Sequence, residues 1–178
     1  MNGQHELQPF APDPAVADLR LTASLRRDGD SLRLQHRLQG PLDTVVLEAP
    51  APEPERRDGL WQSTCLECFL TAPGEEAYWE INLSPAGHWN LYRLSGYRRD
   101  LSPEPAFTRL PFQVRRGPGV LELDLACSLP PGLAGAPVIT ASLCAVIAHR
   151  GGSTSYWALA HPATEPDFHH RGGFQLSL

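Results

Sequence analysis

Gly59-Leu-Trp-Gln-Ser-Thr-Cys-Leu-Glu-Cys-Phe69, Tyr78-Trp-Glu-Ile-Asn-Leu-Ser-Pro85 and His88-Trp-Asn-Leu-Tyr-Arg93 decide how this chain folds. Side chains on a strand alternate between two faces. In the first stretch Leu66, Cys68 and Leu70 share a face, opposite Cys65, Glu67 and Phe69. In the second, Trp79, Ile81 and Leu83 oppose Tyr78, Glu80 and Asn82. In the third, Trp89 and Leu91 oppose His88, Asn90 and Tyr92. If the three strands are neighbours, they make a sheet with one apolar face. Its other face displays Glu67, Tyr78, Glu80, Asn82, Asn90 and Tyr92.

The same period runs outward in both directions. Leu19–Arg27 and Leu32–Leu38 alternate around the turn Asp28-Gly29-Asp30, and Leu32, Leu34, His36 and Leu38 fall on one side. Strands are also expected over Thr44–Glu48, Trp61–Thr71, Ala77–Leu83, His88–Leu94, Phe107–Arg115, Val120–Cys127, Val138–His149, Thr154–Ala160 and Phe174–Leu178. The segment Pro50–Asp58 carries too much proline and charge for a ladder and reads as a loop. Helical periodicity is almost absent. The expectation is an all-β domain spanning residues 1–178, with its core from about Leu19 onward. It has about ten or eleven antiparallel strands in a sandwich or barrel, and the termini are candidates for pairing into the sheet.

Composition narrows the function. The 178 residues carry a formal net charge of −5 with no basic block, which argues against nucleic acid or an anionic membrane surface as partner. Lysine is absent and all 15 basic residues are Arg, so Schiff-base and P-loop lysine chemistry is excluded. The longest apolar run, Cys144–Ala148, is far too short to span a bilayer. Met1–Phe10 is polar and lacks the apolar stretch of a secretory signal, so a cytoplasmic protein is expected. Cys65 and Cys68 form a CxxC on a strand, where positions three apart point to opposite faces. Cys127 and Cys144 lie too far apart to complete a zinc ribbon, so buried free thiols are expected.

Acids, amides and aromatic rings on one sheet face suit sugar recognition. Carboxylates and amides hydrogen-bond hydroxyls, and rings cover the apolar faces of the sugar. The same set also suits a buried network that ties the fold together. Glu67 and Glu80 could in addition serve a glycosidase as acid and base. In the tail, His161, Asp167 and His169 are candidate metal or haem ligands, or residues that close over the end of the sheet. No GxSxG, GxGxxG, Walker or HExxH motif occurs.

Three blocks in order resemble the bacterial DOMON-like domain family. They are Gly59–Leu70, then Tyr78–Pro85 with Trp89, Asn90 and Tyr92, then Ser155–Pro162 with Pro166–His169. That family is related to DOMON domains and to family 9 carbohydrate-binding modules, and the resemblance covers about Leu19–Leu178. It implies an immunoglobulin-like β-sandwich that binds haem or a sugar. The cytochrome members use an axial Met with a His. Here the single Met is Met1, which leaves only a bis-histidine arrangement for haem. Family 9 modules clamp a saccharide between tryptophans with acid and amide partners, and they carry structural calcium. The resemblance carries Glu67, Glu80 and Asn82 over as matching positions. Trp61 and Trp157 are the available clamp residues, because alternation turns Trp79 and Trp89 toward the core. The expected function is non-catalytic binding of a carbohydrate or sugar-like metabolite.

Overall fold

The computed structural model describes residues 3–178. It is an all-β antiparallel protein of twelve strands: β1 His5–Pro9, β2 Arg20–Asp28, β3 Ser31–Gln39, β4 Cys65–Thr71, β5 Tyr78–Leu83, β6 Trp89–Leu94, β7 Ser102–Pro103, β8 Phe112–Gly117, β9 Val120–Ser128, β10 Thr140–Ala148, β11 Thr154–Ala158 and β12 Leu176–Ser177. Hydrogen bonding runs in the order β7-β6-β5-β4-β10-β11-β1-β2-β3-β9-β8, with β12 joining β10. The sheet curls, and its two halves bury their apolar faces in one core. Leu21, Leu25, Leu34, Leu38, Leu121 and Leu125 come from one half, and Cys68, Leu70, Trp79, Ile81, Leu91 and Leu143 from the other.

Each hairpin has a local cause. Asp28 pairs with Ser31 across Gly29-Asp30, and Gly29 takes the φ of +57° that a two-residue turn demands of its first position. The β4-β5-β6 ladder has the register that alternation anticipates. Glu67, Asn82 and Asn90 line up across three strands, and Phe69, Glu80 and Tyr92 form the next row.

Several expectations are corrected. Thr44–Glu48 is not a strand: Leu42–Thr44 is a 3-10 turn, and Val45 makes a single bridge to His149. Trp61 lies in another 3-10 turn, Leu60–Gln62, so the strand begins only at Cys65. Phe107–Pro111 is irregular, because Pro111 cannot donate to a ladder. The segment Pro50–Asp58 does contribute backbone: Arg57 N donates to Trp89 O, and Trp89 N to Glu55 O, alongside the outer edge of β6. The core begins before Leu19. Leu7 on β1 is buried, and β1 pairs with both β2 and β11, joining the two halves.

Candidate functional site

The face of β4-β5-β6 turned away from the main core is not an open display. Tyr78, Glu80, Asn82, Asn90, Tyr92 and Glu67 are all buried. Two covering segments account for this. The first is the loop ending at Asp58, whose Oδ1 accepts from Asn90 Nδ2 at 3.0 Å and from the Tyr92 hydroxyl at 2.8 Å. Asn90 Nδ2 also donates to Arg57 O, and its Oδ1 accepts from Leu91 N. The second is the tail. His169 Nδ1 and the Tyr78 hydroxyl lie 2.8 Å apart, and Arg98 N donates to that hydroxyl. Phe168 and Phe174 pack on Phe69, Tyr78, Tyr92 and Cys144 as a second, smaller apolar cluster. Asn90, Tyr92 and Tyr78 therefore spend their polar atoms holding these segments down.

Between the two covers lies a cavity of about 500 Å³. Glu67 and Glu80 belong to its sheet side. Trp61, Leu101, Val146, Tyr156 and Phe168 supply apolar surface, and Arg98, Glu165, Pro166 and His169 complete the lining. Trp61 stands edge-on to Tyr92 with centroids 6.0 Å apart, and about a third of its surface is exposed (37%).

The electrostatics of the pair follow from burial. Glu80 Oε1 accepts from Asn82 Nδ2 at 2.9 Å. Glu67 Oε1 and Asn82 Oδ1 are buried with no partner. Desolvation, then the charge of Glu80, pushes the Glu67 carboxyl well above the usual carboxylate range; the Cys65 thiol beside it opposes this only in part. Desolvation raises Glu80 to about 7, against the Asn82 bond and the charge of Arg98. The pair holds at least one proton near neutrality, and the two sites titrate together. Burial and the nearby carboxylates also raise Cys65 and Cys144, so these thiols stay protonated and unreactive. Cys65, Cys68, Cys127 and Cys144 are all free, and Cys68 faces the core while Cys65 faces Glu67, as strand alternation requires.

The tail histidines do not assemble. His161 Nε2 bonds to Gln8 O at 2.8 Å, away from the cavity. Asp167 accepts from Tyr97, from Arg98 and from His169 N. His169 is lowered to about 4, by desolvation and then by Arg98, and so is neutral. Of the two histidines, His169 lines the cavity and His161 does not. Among the described residues no group of three or more His, Cys, Asp and Glu side chains is placed to hold a metal.

Trp157 is also corrected. It lies in the apolar core with its indole N–H on Ser155 Oγ, and its neighbour Tyr156 lines the cavity instead. Strand parity in Thr154–Ala158 carried that signal, because residues 156 and 157 must face opposite ways. Arg98, Leu101, Glu165 and Phe168 had no such signal. They reach the cavity through irregular loops, and Arg98 sits at a φ of +54°.

No family model matches the chain, and no curated protein does. Two of the solved structures that match share its fold. One is a candidate carbohydrate-binding protein from Bacteroides uniformis ATCC 8492, with TM-score 0.72 at 12% identity, covering 97% of this chain and 84% of that one. The other is a family 9 carbohydrate-binding module from Caldicellulosiruptor kristjanssonii in complex with cellotriose, with TM-score 0.55 at 11% identity, covering 92% and 75%. The chain thus has the fold of a family 9 carbohydrate-binding module.

Proposed function

We propose that this chain is a non-catalytic binding domain that takes a carbohydrate or sugar-like metabolite in the cavity above Glu67 and Glu80. In this reading the chain is a DOMON-like β-sandwich whose two halves β1 joins. One observation carries the proposal: two buried carboxyls, one with an unpartnered oxygen, meet aromatic and aliphatic surface in a preformed cavity. The fold shared with a module bound to cellotriose supports a saccharide as the ligand class.

The test is a thermal-shift and calorimetric screen of monosaccharides and oligosaccharides. A ligand at a hundred times its Kd stabilises by about 2.7 kcal/mol, worth roughly 5–10 °C at this size. Glu80→Ala abolishes that shift while the apoprotein still melts cooperatively. An unchanged affinity in Glu80→Ala removes Glu80 from the site.

A second reading has its own observation. Two carboxyls that titrate together above the usual range suit an acid–base pair acting on a glycoside. It requires turnover of aryl glycosides with a pH profile that bends near 7. Absence of release from all of them eliminates it.

A further inference from the structure

The unmet groups at the base of the cavity are of one kind. Glu67 Oε1 and Asn82 Oδ1 are both buried acceptors without a donor. Glu80 Oε1 has the single donor Asn82 Nδ2. A buried acceptor left without a donor costs about 1–3 kcal/mol. Among the described residues, the cavity lining offers them no unpaired arginine or lysine. Lysine is absent. Arg98, the cation of the lining, is ion-paired to Asp167 at 3.0 Å, and Arg171 lies over the Tyr78 ring with its guanidinium on Glu75 O and Glu76 O. The lining carries Glu67, Glu80 and Glu165 against that one paired arginine.

From the unpartnered acceptors and this uncompensated acidity, we infer that the cavity takes an amino sugar, with its ammonium group seated at Glu67 and Glu80 and its ring against Trp61 and Tyr156. The inference rests on the saccharide reading above and names the class of sugar. An ammonium brings three donors on one atom, where a hydroxyl brings one. It also replaces the proton that the two carboxyls now hold between them. Binding therefore releases a proton to solvent, and the pair passes to its fully ionised, ion-paired state.

The groups that face the pair bear on this exchange. Cys65 on β4 and Cys144 on β10 remain protonated beside Glu67. Tyr78 and Tyr92, raised by burial, stay neutral on β5 and β6, with Asp58 beyond Tyr92. Arg98 approaches from the loop after β6, and the tail brings Glu165 and the neutral His169. Behind the sheet, His36 on β3 is lowered to about 4 by burial and is neutral as well. Glu80, raised to about 7, changes charge across the span from about pH 5.5 to about pH 7, and Glu67 beside it is raised in the same direction.

The experiment is isothermal titration of the full chain with glucosamine, galactosamine and mannosamine, each against its parent hexose, at about pH 5.5 and about pH 7. At the higher pH one amino sugar binds about tenfold tighter than its parent, a preference that falls about tenfold at the lower pH. The buffer dependence of the enthalpy reports a proton released. Glu80→Gln, which keeps the acceptor for Asn82, removes the preference, and Glu67→Gln is the companion variant. The comparison in the unaltered protein stands even where a variant fails to fold. A parent hexose that binds as well as its amino sugar, or a preference indifferent to pH, overturns the inference and leaves the saccharide reading intact. If no sugar of either set binds, the saccharide reading falls and the inference with it.

Discussion

Glu67 holds its position at a cost that its own neighbours do not offset. Its Oε1 is unpartnered, and burial drives the carboxyl toward the neutral form. Packing alone would put an apolar side chain there, as at Phe69 on the same face of the strand. Trp61 has the complementary role. Its partly exposed indole gives the cavity an aromatic wall open to solvent. Trp61→Ala is expected to weaken saccharide binding by about tenfold, the scale of one lost aromatic contact, with little change in the melting temperature of the apoprotein. Titration calorimetry and a thermal melt together check it. An equal loss of stability and affinity would make Trp61 a structural prop for Tyr92. The Glu80→Ala and Glu80→Gln variants belong to this scale too, because one carboxyl decides them.

At the scale of elements, two covering segments and one bridging strand control the site. Asp58 fastens the first cover through a single oxygen that serves both Asn90 and Tyr92. Asp58→Ala takes the acceptor from the Tyr92 hydroxyl and one of the two bonds from Asn90 Nδ2. It is expected to cost about 1–3 kcal/mol and to raise hydrogen exchange in residues 50–58 before the sheet opens. Denaturant titration with exchange mass spectrometry reads both. The bridging strand is β1, whose Leu7 is 1% exposed between β2 and β11. Leu7→Ala is expected to cost about 2–5 kcal/mol in a chemical melt, and a loss under about 1 kcal/mol would mean that β1 is peripheral. The crossing before β10 is similarly constrained. A Cβ on Gly132 would lie 2.5 Å from the Trp79 ring, whose N–H is anchored on Glu104 Oε2. Gly132→Ala is therefore expected to destabilise by about 1–3 kcal/mol through overpacking.

At the scale of the whole molecule, pH couples the site to stability in opposite directions. Glu80 has its folded pKa raised to about 7 and Glu67 higher than the usual range. Their contribution is fully present below the unfolded carboxylate value and is lost as pH rises through the folded one. His36 and His169 are lowered to about 4, so they are protonated more readily in the unfolded chain, and stability falls as pH drops below the ordinary histidine value. Between the ordinary carboxylate and histidine values the two slopes oppose each other. The apoprotein is expected to be nearly level from about pH 4.5 to about pH 6.5, where the slopes offset, and to weaken above it, with Glu80 alone withdrawing on the order of 3 kcal/mol over the whole span from the unfolded carboxylate value to about 7. Urea midpoints against pH measure this. Glu67→Gln flattens the alkaline limb, and a midpoint that climbs from neutral to alkaline pH contradicts the scheme.

Alternation by itself determined the β2-β3 and β4-β5-β6 ladders, the face of each side chain within them and the burial of Cys65, Cys68 and Cys144, because a period of two is a local property of extended backbone. It put Glu67 and Glu80 on one face and Trp79 and Trp89 on the other, and the ladder keeps both assignments. Tertiary structure alone decided which members of that face remain free. Asn90, Tyr92 and Tyr78 are occupied by Asp58, Arg98 and His169, which lie 20 to 91 residues away along the chain. It also took His161 away from His169, and brought Arg98, Leu101 and Phe168 to the cavity from segments with no period to read. The physical reason is the same in each case. A strand's faces follow from its own dihedrals, whereas the route of an irregular loop follows from the partners its polar atoms find across the fold.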